Sequence, residues 1–595
     1  MSLFRIFLAL LAGCGVFAAT APAVPVVKPK PAPPRSSEQR TAEALARRMS
    51  LRDLAAQLVV VAAHGEAYGA RSSEYRKYRH WVGDLHVGGI TINNAAEYGI
   101  VRHAEPHALA VFLNQMQRLA KTPLLVSSDF ERGASMRVNG TTLFPYSMAF
   151  GAADDVEGAR FEGLTAARQA RALGIHWLLA PVADVNVNPE NPVINLRSYG
   201  EDPEQVARLV AAFIDGAHSD PANRVLVAAK HFPGHGDTAT NSHLDLPELA
   251  VSRERLESVE FVPFRAAIAH GADSVMTAHM TAPALEPEAI PATVSANLTR
   301  VLREDMQFSG IIITDAMDMR GLTKQFPGAE AAVRAVAAGA DVLLIPPDPE
   351  RAIRALVGAV ENKRISRARL EKSAARVLAV KIGLGLMKKK LVDLDAIADA
   401  LDSPEAEARA QEISDRALTV VKNGNGLLPL SPGARLCMVV LREARTSTVG
   451  LRMAREVQAR AKGARVVVLD SGLPLPALQA ALGDTSDCSA IIVETSVTAS
   501  DTRSSLALGG DLGPFVERLT EASTPVALVS LGSPYALGSF PKAAAAVAAF
   551  SPTVPSEIAA AQALFGEIAI TGRLPVTIPG LAARGEGIQM AARSR

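Results

Sequence analysis

The densest group of chemically reactive side chains lies between residues 230 and 247, where three histidines stand among glycines and prolines. The group begins with Lys230 and His231 and continues through His235 to His243. Glycine and proline at this density predict an irregular loop, and loops of this kind often carry functional residues. Histidine gains and loses a proton near neutral pH, so the loop is a candidate for general acid and base chemistry.

A metal site is the alternative for the same loop, since His231 and His235 lie four residues apart. That spacing aligns two zinc ligands only on a helix, and Pro233 followed by Gly234 prevents a helix there. No clear carboxylate or cysteine completes a set of ligands. The second half of the chain has no glycine-rich phosphate loop after a strand. The sequence therefore predicts neither a metal nor another cofactor.

Eight short apolar runs between Thr41 and about Lys390 must position this loop, and amphipathic stretches separate them. The runs are Leu58–Ala63, Gly88–Ile92, Pro123–Ser127, His176–Val182, Val225–Ala229, Ser274–Thr277, Gly310–Ile313 and Asp341–Ile345. Strand and helix alternating eight times predict an α/β fold with a (β/α)8, TIM-like barrel over residues 39–390.

Polar side chains stand just after the ends of several runs, where the catalytic face of such a barrel lies. They are Asp129, Glu131, Asp184, Lys230, His231, His279 and Asp315. Turn and cap residues are also polar, and an N-cap role for Asp315 is the structural alternative. The repetition across strands favours a functional site over turn chemistry alone.

The rest of the chain predicts a helical linker at 391–414 and a smaller C-terminal α/β sandwich domain at 415–595, with parallel strands between helices. Its apolar runs are Ala417–Lys422, Leu436–Leu441, Val466–Leu469, Ile491–Glu494, Val526–Leu531 and Ala546–Phe550. Cys437 lies inside one of these runs, so it and Cys488 are expected to be small core residues rather than a disulfide.

The pattern of residues 1–21 predicts an export signal, because Arg5 stands before an apolar run from Ile6 to Leu11. The run is too short to span a bilayer stably. Leu11 to Cys14 matches a bacterial lipobox, which would place a lipid on Cys14. Ordinary cleavage near Ala18 or Ala21 is the open alternative. Residues 22–38 form a Pro-rich linker, and the product is expected to be periplasmic or extracellular.

Composition and net charge limit the kinds of molecule that the protein is expected to bind. The chain has 595 residues with 48% hydrophobic and 21% charged residues, which fits a folded protein of two or more domains. Its formal net charge of +1 argues against nucleic acid and against an anionic membrane surface, which would demand a basic face. We expect a neutral substrate, and membrane contact only through a lipid on Cys14.

The segment from Lys230 to Pro247 resembles the signature of family 3 glycoside hydrolases, in particular the bacterial β-N-acetylhexosaminidase branch. Three further segments resemble other parts of that branch in the same order, and the similarity covers nearly all of residues 41 to 385. They are a sugar-binding segment at Asn188–Ile194 and Arg197–Pro203, a sixth strand at Met276–Met280 and a nucleophile turn at Ile313–Met319.

The resemblance implies that Asp315 is the nucleophile and His243 the general acid and base. An anionic carboxylate can form a glycosyl ester, and a neutral imidazole beside it avoids repulsion between two carboxylates. The branch usually has an Asp two residues before the His, whereas this chain has Asn241. Asn241 is expected to orient His243 without stabilising its cation, and Asp237 or Asp245 would substitute if the loop folds differently.

The resemblance also implies a set of substrate-binding residues: Asp129, Arg137, Arg197, Lys230 and His231. Charged, directional groups suit a sugar because they replace the water around its hydroxyls. Residues 130–134 depart from the family's commoner form, which leaves the contacts of Glu131 and Arg132 open. Arg197 and Glu201 could instead belong to structural ion pairs.

The function implied is that of a retaining exo-β-N-acetylhexosaminidase, which removes terminal β-N-acetylglucosamine from cell-wall or chitin-type fragments through a covalent glycosyl-Asp intermediate. Peptidoglycan fragments are the leading substrates. A family 3 β-glucosidase or another β-glycosidase is the alternative, with a phosphorylase as a variant. A catalytically impaired glycan-binding protein, with Asn241 as its lesion, is the second alternative. The sequence leaves the aglycone and the oligomeric state open.

Overall fold

A computed structural model describes residues 36–97, 100–499 and 504–593 of the chain. The predicted signal peptide at 1–21, the lipobox cysteine Cys14 and the linker up to residue 35 lie outside the described residues. The first described element, helix α1, begins at Ser37 behind a capping box between Ser36 and Gln39.

Eight parallel strands form the first sheet, in the order β10-β1-β2-β5-β6-β7-β8-β9. The strands of this sheet are β1 Val59–Ala63, β2 Gly89–Ile92, β5 Leu125–Ser128, β6 Trp177–Leu178, β7 Leu226–Phe232, β8 Ser274–Thr277, β9 Ile311–Thr314 and β10 Leu343–Leu344. Strands β3 Ala95–Glu97 and β4 Ile100–Arg102 form a separate antiparallel pair. A bridge between Ile313 and Val342 and a bond from Thr314 N–H to Val342 O (3.0 Å) join the two ends of the sheet. The predicted barrel is confirmed, although the fourth and eighth strands are only two residues long.

Helices follow the strands and cover the outside of the barrel. They are α1 Ser37–Arg48, α2 Leu51–Gln57, α3 Ser73–Arg79, α4 Pro106–Leu119, α5 Ser147–Ala153, α6 Val156–Leu173, α7 Pro203–His218, α8 Arg253–Arg255, α9 Phe261–Ala269, α10 Ala296–Arg300, α11 Arg320–Thr323, α12 Glu330–Ala338, α13 Pro349–Glu361 and α14 Arg367–Gly383. Three of them, α4, α7 and α13, start at a side-chain cap followed by proline, as at Asp202–Pro203 and Asp348–Pro349, which fixes where the preceding loop ends.

Helix α14 closes the floor of the barrel, at the end opposite the ends of strands β7 and β9. Val377 and Leu386 pack with Trp177, Leu226 and Ile311 inside the barrel. Helix α1 lies beside α14, and a cavity between them reaches Gly310 and Asp273 at the starts of the strands. The described chain therefore enters the fold at its floor.

The second domain follows helices α15 Ile397–Leu401 and α16 Pro404–Ala417 and contains six strands ordered β11-β16-β15-β14-β12-β13. The elements are β11 Thr419–Asn423, β12 Leu436–Arg442, α17 Leu451–Arg460, β13 Arg465–Asp470, α18 Leu475–Leu482, β14 Ala490–Thr495, α19 Leu512–Glu521, β15 Val526–Ser530, β16 Ala545–Ala548 and α20 Val554–Phe565. Apolar clusters fill both faces of the sheet, as an α/β sandwich requires. The prediction of parallel strands is wrong for β11, which pairs antiparallel with β16 because it enters from the linker rather than through a crossover helix.

The expectation that Cys437 and Cys488 are separate core residues is wrong, because the structure joins them in a disulfide. Cys437 lies in β12 and Cys488 two residues before β14, and these two strands are neighbours in the sheet. Strand pairing brings the two Cα atoms to 5.7 Å, a normal disulfide distance.

The two domains share one apolar interface. Met148, Ala149 and Leu196 of the barrel pack in the same cluster as Leu537 and Val576 of the second domain. Such a continuous core holds the domains in a fixed relation. Among the described residues, no helix has both the length and the apolar character needed to cross a membrane.

Candidate active site

A pocket opens at the carboxyl ends of the barrel strands, where the fold predicts an active site. Seven of the eight sequence-predicted site residues line it, namely Asp129, Arg197, Lys230, His231, His243 and Asp315 together with Arg137. The eighth, Asn241, is buried directly behind His243. The structure thus brings the whole predicted set to one place, and the roles of its members stay predictions.

Asp315 follows β9 directly and is half-buried in the pocket. Its Oδ1 accepts the N–H of Ala316 at 2.7 Å, and the Nε2 of buried His279 donates to Ala316 O at 2.9 Å. His279 therefore holds the turn that carries Asp315. Burial alone would raise the pKa of Asp315, but the nearby His231, His279 and His243 lower it overall. Asp315 is consequently ionised at neutral pH.

The loop after β7 is held closed by the buried His235. Its Nδ1 donates to the Thr238 hydroxyl at 2.7 Å, because that hydroxyl uses its own proton on the His235 carbonyl oxygen at 3.1 Å. Its Nε2 then accepts the proton of the Ser242 hydroxyl at 3.0 Å. Burial lowers the pKa of His235 to about 4, so the ring is neutral and structural.

His243 stands next to Ser242, and Asn241 Oδ1 binds it twice. The oxygen accepts the backbone N–H of His243 at 3.0 Å and lies 3.1 Å from ring Nδ1. The backbone N–H can only donate, so the Asn241 atom at this position must be the oxygen rather than the amide nitrogen. The Nδ1 therefore carries a proton, which makes Nε2 the nitrogen that can accept a proton when the ring is neutral.

The two acidic residues considered as substitutes for the missing Asp are engaged elsewhere. Asp237 lies 3.5 Å from Arg255, and the exposed Asp245 pairs with Lys324 at 2.9 Å. Asn241 is thus the residue that contacts the His243 ring at Nδ1.

A network of buried ion pairs forms the wall of the pocket. Lys230 Nζ contacts Asp129 at 2.8 Å and Glu131 at 2.7 Å. Arg197 binds both oxygens of Glu131 at 2.8 Å each, and Arg137 binds Asp129 at 2.9 Å. Burial would raise the pKa of Asp129, but Lys230 and Arg137 lower it to about 2. The wall therefore offers fixed charges of both signs to a polyhydroxylated ligand.

His231 is oriented by the fully buried Asp184. Asp184 Oδ2 binds His231 Nδ1 at 2.8 Å, and Oδ1 accepts the backbone N–H groups of His231 and His235 at 3.2 and 2.6 Å. The bond fixes a proton on Nδ1 and leaves His231 Nε2 facing Arg197 and the pocket.

Sequence reasoning missed the roles of Glu131 and Asp184. Both stand just after strands, which is a usable signal, but the sequence gives no indication that Glu131 bridges Lys230 and Arg197. Glu201, for which a structural ion pair was the alternative, lies 3.8 Å from Arg584 and accepts the Thr577 hydroxyl at 2.7 Å, both in the second domain. Within residues 36–97, 100–499 and 504–593, no three His, Cys, Asp or Glu residues form a group that could hold a metal ion.

Comparison with known proteins gives matches along most of the chain. Residues 50–380 match the model of the glycosyl hydrolase family 3 N terminal domain, and residues 418–590 match that of the C-terminal domain. A β-N-acetylglucosaminidase/β-glucosidase of Cellulomonas fimi is 31% identical over 357 residues, which are 58% of this chain and 61% of the relative. β-Hexosaminidase A of Pseudoalteromonas piscicida is 32% identical over 352 residues, 55% of this chain and 58% of the relative.

These matches span about three-fifths of the length of the two relatives. A solved structure, that of a glycoside hydrolase family 3 β-N-acetylglucosaminidase from Paenibacillus sp. str. FPU-7, is 31% identical. It superposes with a TM-score of 0.78 and covers 90% of this chain and 100% of that one. The similarity to this structure therefore extends over both domains.

Proposed function

The chain belongs to glycosyl hydrolase family 3, and on that basis we propose that it is an exported, retaining exo-β-N-acetylhexosaminidase. It removes terminal β-N-acetylglucosamine from cell-wall or chitin-type fragments, with peptidoglycan fragments as the leading substrates. The names of its relatives from C. fimi and P. piscicida support this choice of sugar.

One observation carries the proposal: Asp315 and His243 line the same pocket, and the surroundings of each suit the role that retaining chemistry would give it. The surrounding histidines keep Asp315 anionic, as a nucleophile must be. Asn241 accepts the Nδ1 proton of His243, so that Nε2 is the nitrogen that would exchange a proton with the substrate.

The reaction proceeds in two steps. In the first, Asp315 attacks the anomeric carbon while protonated His243 gives the proton on Nε2 to the departing glycosidic oxygen. The products are a glycosyl ester on Asp315 and a free alcohol. In the second, neutral His243 takes a proton from water, which attacks the anomeric carbon and releases the sugar from Asp315.

Trapping the ester on Asp315 tests the proposal most directly. A fluorinated N-acetylglucosamine analogue should leave one glycosyl adduct on the peptide containing Asp315, detected by mass spectrometry. The matched control is Asp315→Asn, which keeps the shape of the side chain and should carry no adduct. Absence of both adduct and turnover in the wild-type enzyme would favour the impaired glycan-binding alternative.

A β-glucosidase is the second candidate, because the C. fimi relative carries both activities in its name. Chromogenic N-acetylglucosaminide and glucoside assayed side by side separate the two, and faster cleavage of the glucoside would overturn our choice of sugar. Turnover that depends on inorganic phosphate would instead identify a phosphorylase.

Export is part of the proposal, and the Cys437–Cys488 disulfide supports it. Disulfides persist in oxidising compartments such as the periplasm and are rare in the bacterial cytoplasm. Fractionation of the producing cells, with mass analysis of the mature N-terminus, tests both export and the lipid on Cys14.

A further inference from the structure

A chain of hydrogen bonds leads from the second domain to the loop that carries His243. It starts at Tyr535, in the turn after β15, whose hydroxyl accepts from the amide of Asn186 at 3.0 Å. Asn186 is fully buried in the barrel, and its Oδ1 accepts the N–H of Asn195 at 2.9 Å. Tyr535 is thereby bonded to the segment 186–197, which we call the support segment and which also contains Arg197.

The support segment is bonded in turn to the catalytic loop. Asn188 N–H donates to the carbonyl oxygen of Gly236 at 3.3 Å, and Asn191 Nδ2 donates to that of His235 at 2.8 Å. Gly236 lies so close that a Cβ there would overlap the carbonyl oxygen of Val185. The loop is therefore tied to the support segment by two hydrogen bonds and packs tightly against Val185 beside it.

Tyr535 itself is held firmly by the packing of the domains. The neighbouring Leu537 is buried in the cluster shared with Met148 and Leu196 of the barrel. The side-chain amide of Asn186 donates one hydrogen bond to the Tyr535 hydroxyl and a longer one, at 3.5 Å, to the carbonyl oxygen of Asn188. Loss of the Tyr535 hydroxyl leaves a buried amide with only a long bond, a situation that favours rearrangement of the segment.

We propose that Tyr535 is a positioning residue for catalysis: through Asn186 and the support segment, the second domain fixes the loop on which His243 stands. The role of His243 in this inference rests on the proposed function. The hydrogen-bonded connection from Tyr535 through the support segment to the loop does not. It gives the second domain a part in the reaction without any contact between Tyr535 and the substrate.

Tyr535→Phe tests the link, because it removes one oxygen atom and keeps the ring that packs at the interface. The matched control is Thr577→Val, which removes a hydroxyl bonded to Glu201 at the same domain interface but outside the support segment. Hydrogen exchange of the peptide covering residues 235–243 should become about fivefold to tenfold faster in Tyr535→Phe, as expected for one lost buried bond, and stay at the wild-type rate in Thr577→Val.

Kinetics supply the second readout. We expect kcat of Tyr535→Phe to fall by about tenfold with little change in KM, and the pH profile to change shape, because proton transfer by a displaced His243 is impaired. If Tyr535→Phe does not fold, Asn191→Asp cuts the bond to His235 from the barrel side and should show the same faster exchange.

Unchanged exchange in Tyr535→Phe, or equal acceleration in Thr577→Val, would overturn the inference. Neither result depends on which sugar is cleaved. A wild-type enzyme that cleaves no N-acetylglucosaminide would count against the proposed function alone.

Discussion

Two lysines are buried in the barrel, one at each end, and their partners are of opposite kinds. Lys230 at the mouth is 2% exposed and lies between the carboxylates of Asp129 and Glu131. Lys381 in the floor is 0% exposed, and its ammonium donates to the neutral amide oxygen of Gln57 at 2.8 Å. Burial alone would lower both pKa values, but the carboxylates raise that of Lys230, whereas that of Lys381 falls to about 7.

The contrast separates a lysine charge that we propose to serve the site from a lysine charge that lowers the stability of the fold. At the mouth, the partners keep Lys230 charged at every working pH, so it can bind a sugar hydroxyl. In the floor, no carboxylate of the described part of the chain offsets the cost of burying the Lys381 charge, and the protein is less stable for it.

The largest effect is expected from Lys230→Met, which removes the charge from the mouth. Asp129 and Glu131 then keep only Arg137 and Arg197 as partners, and removing one member of a buried ion pair costs about 3–5 kcal/mol. We expect the free energy of unfolding to fall by that amount and kcat/KM to fall by roughly 100-fold, the equivalent of about 3 kcal/mol. Urea denaturation and steady-state kinetics measure the two losses. Wild-type stability in this variant would contradict an ionised network.

Lys381→Met is the opposite case and should stabilise the protein. The pKa of the Lys381 ammonium is near 10.5 in the unfolded chain and about 7 in the folded protein. The cost of charging Lys381 is therefore full below pH 7 and disappears as the pH rises towards 10.5. Removing it should raise the free energy of unfolding by roughly 2–4 kcal/mol at pH 6 and by little at pH 10.

Urea denaturation of both proteins at the two pH values measures this dependence. Activity should not change, since Lys381 lies at the end of the barrel opposite the pocket. A gain in stability of equal size at pH 6 and pH 10 would show that packing, and not charge, is responsible.

The smallest effect is expected from Asn241→Asp, which gives His243 the kind of partner that Lys230 already has. A carboxylate at 3.1 Å from Nδ1 would stabilise the imidazolium, which a neutral amide does not. We expect the alkaline limb of the kcat/KM profile to move up by about one pH unit, with at most a tenfold change in rate. A pH profile identical to that of the wild type would show that the charge at residue 241 has no influence on proton transfer.

Much of the fold was predictable, because buried parallel strands form apolar runs that can be counted. Eight runs gave eight barrel strands, and polar residues after them led to the pocket. Some strands are shorter than the apolar runs that predict them, because burial does not require strand pairing. The run His176–Val182 is buried throughout, yet only Trp177 and Leu178 pair as a strand.

What the sequence did not predict depends on contacts between distant residues. The Cys437–Cys488 disulfide follows from the pairing of β12 with β14, which no local pattern reveals. Tyr535 and Asn186 are separated by 349 positions, and only the docking of the two domains brings them together. The tautomer of His243 could not be inferred either, because it is decided by the direction of one backbone N–H group.

The entry of the chain at the floor of the barrel has a consequence for where the enzyme works. Helix α1 lies beside α14, at the end opposite the pocket. If Cys14 carries a lipid, about 22 residues connect the membrane to Ser36, and a chain of that length spans at most about 70–80 Å. The point of attachment would then lie at the end of the barrel opposite the pocket, and we propose that the anchored enzyme works within that distance of the membrane with its pocket facing away from it.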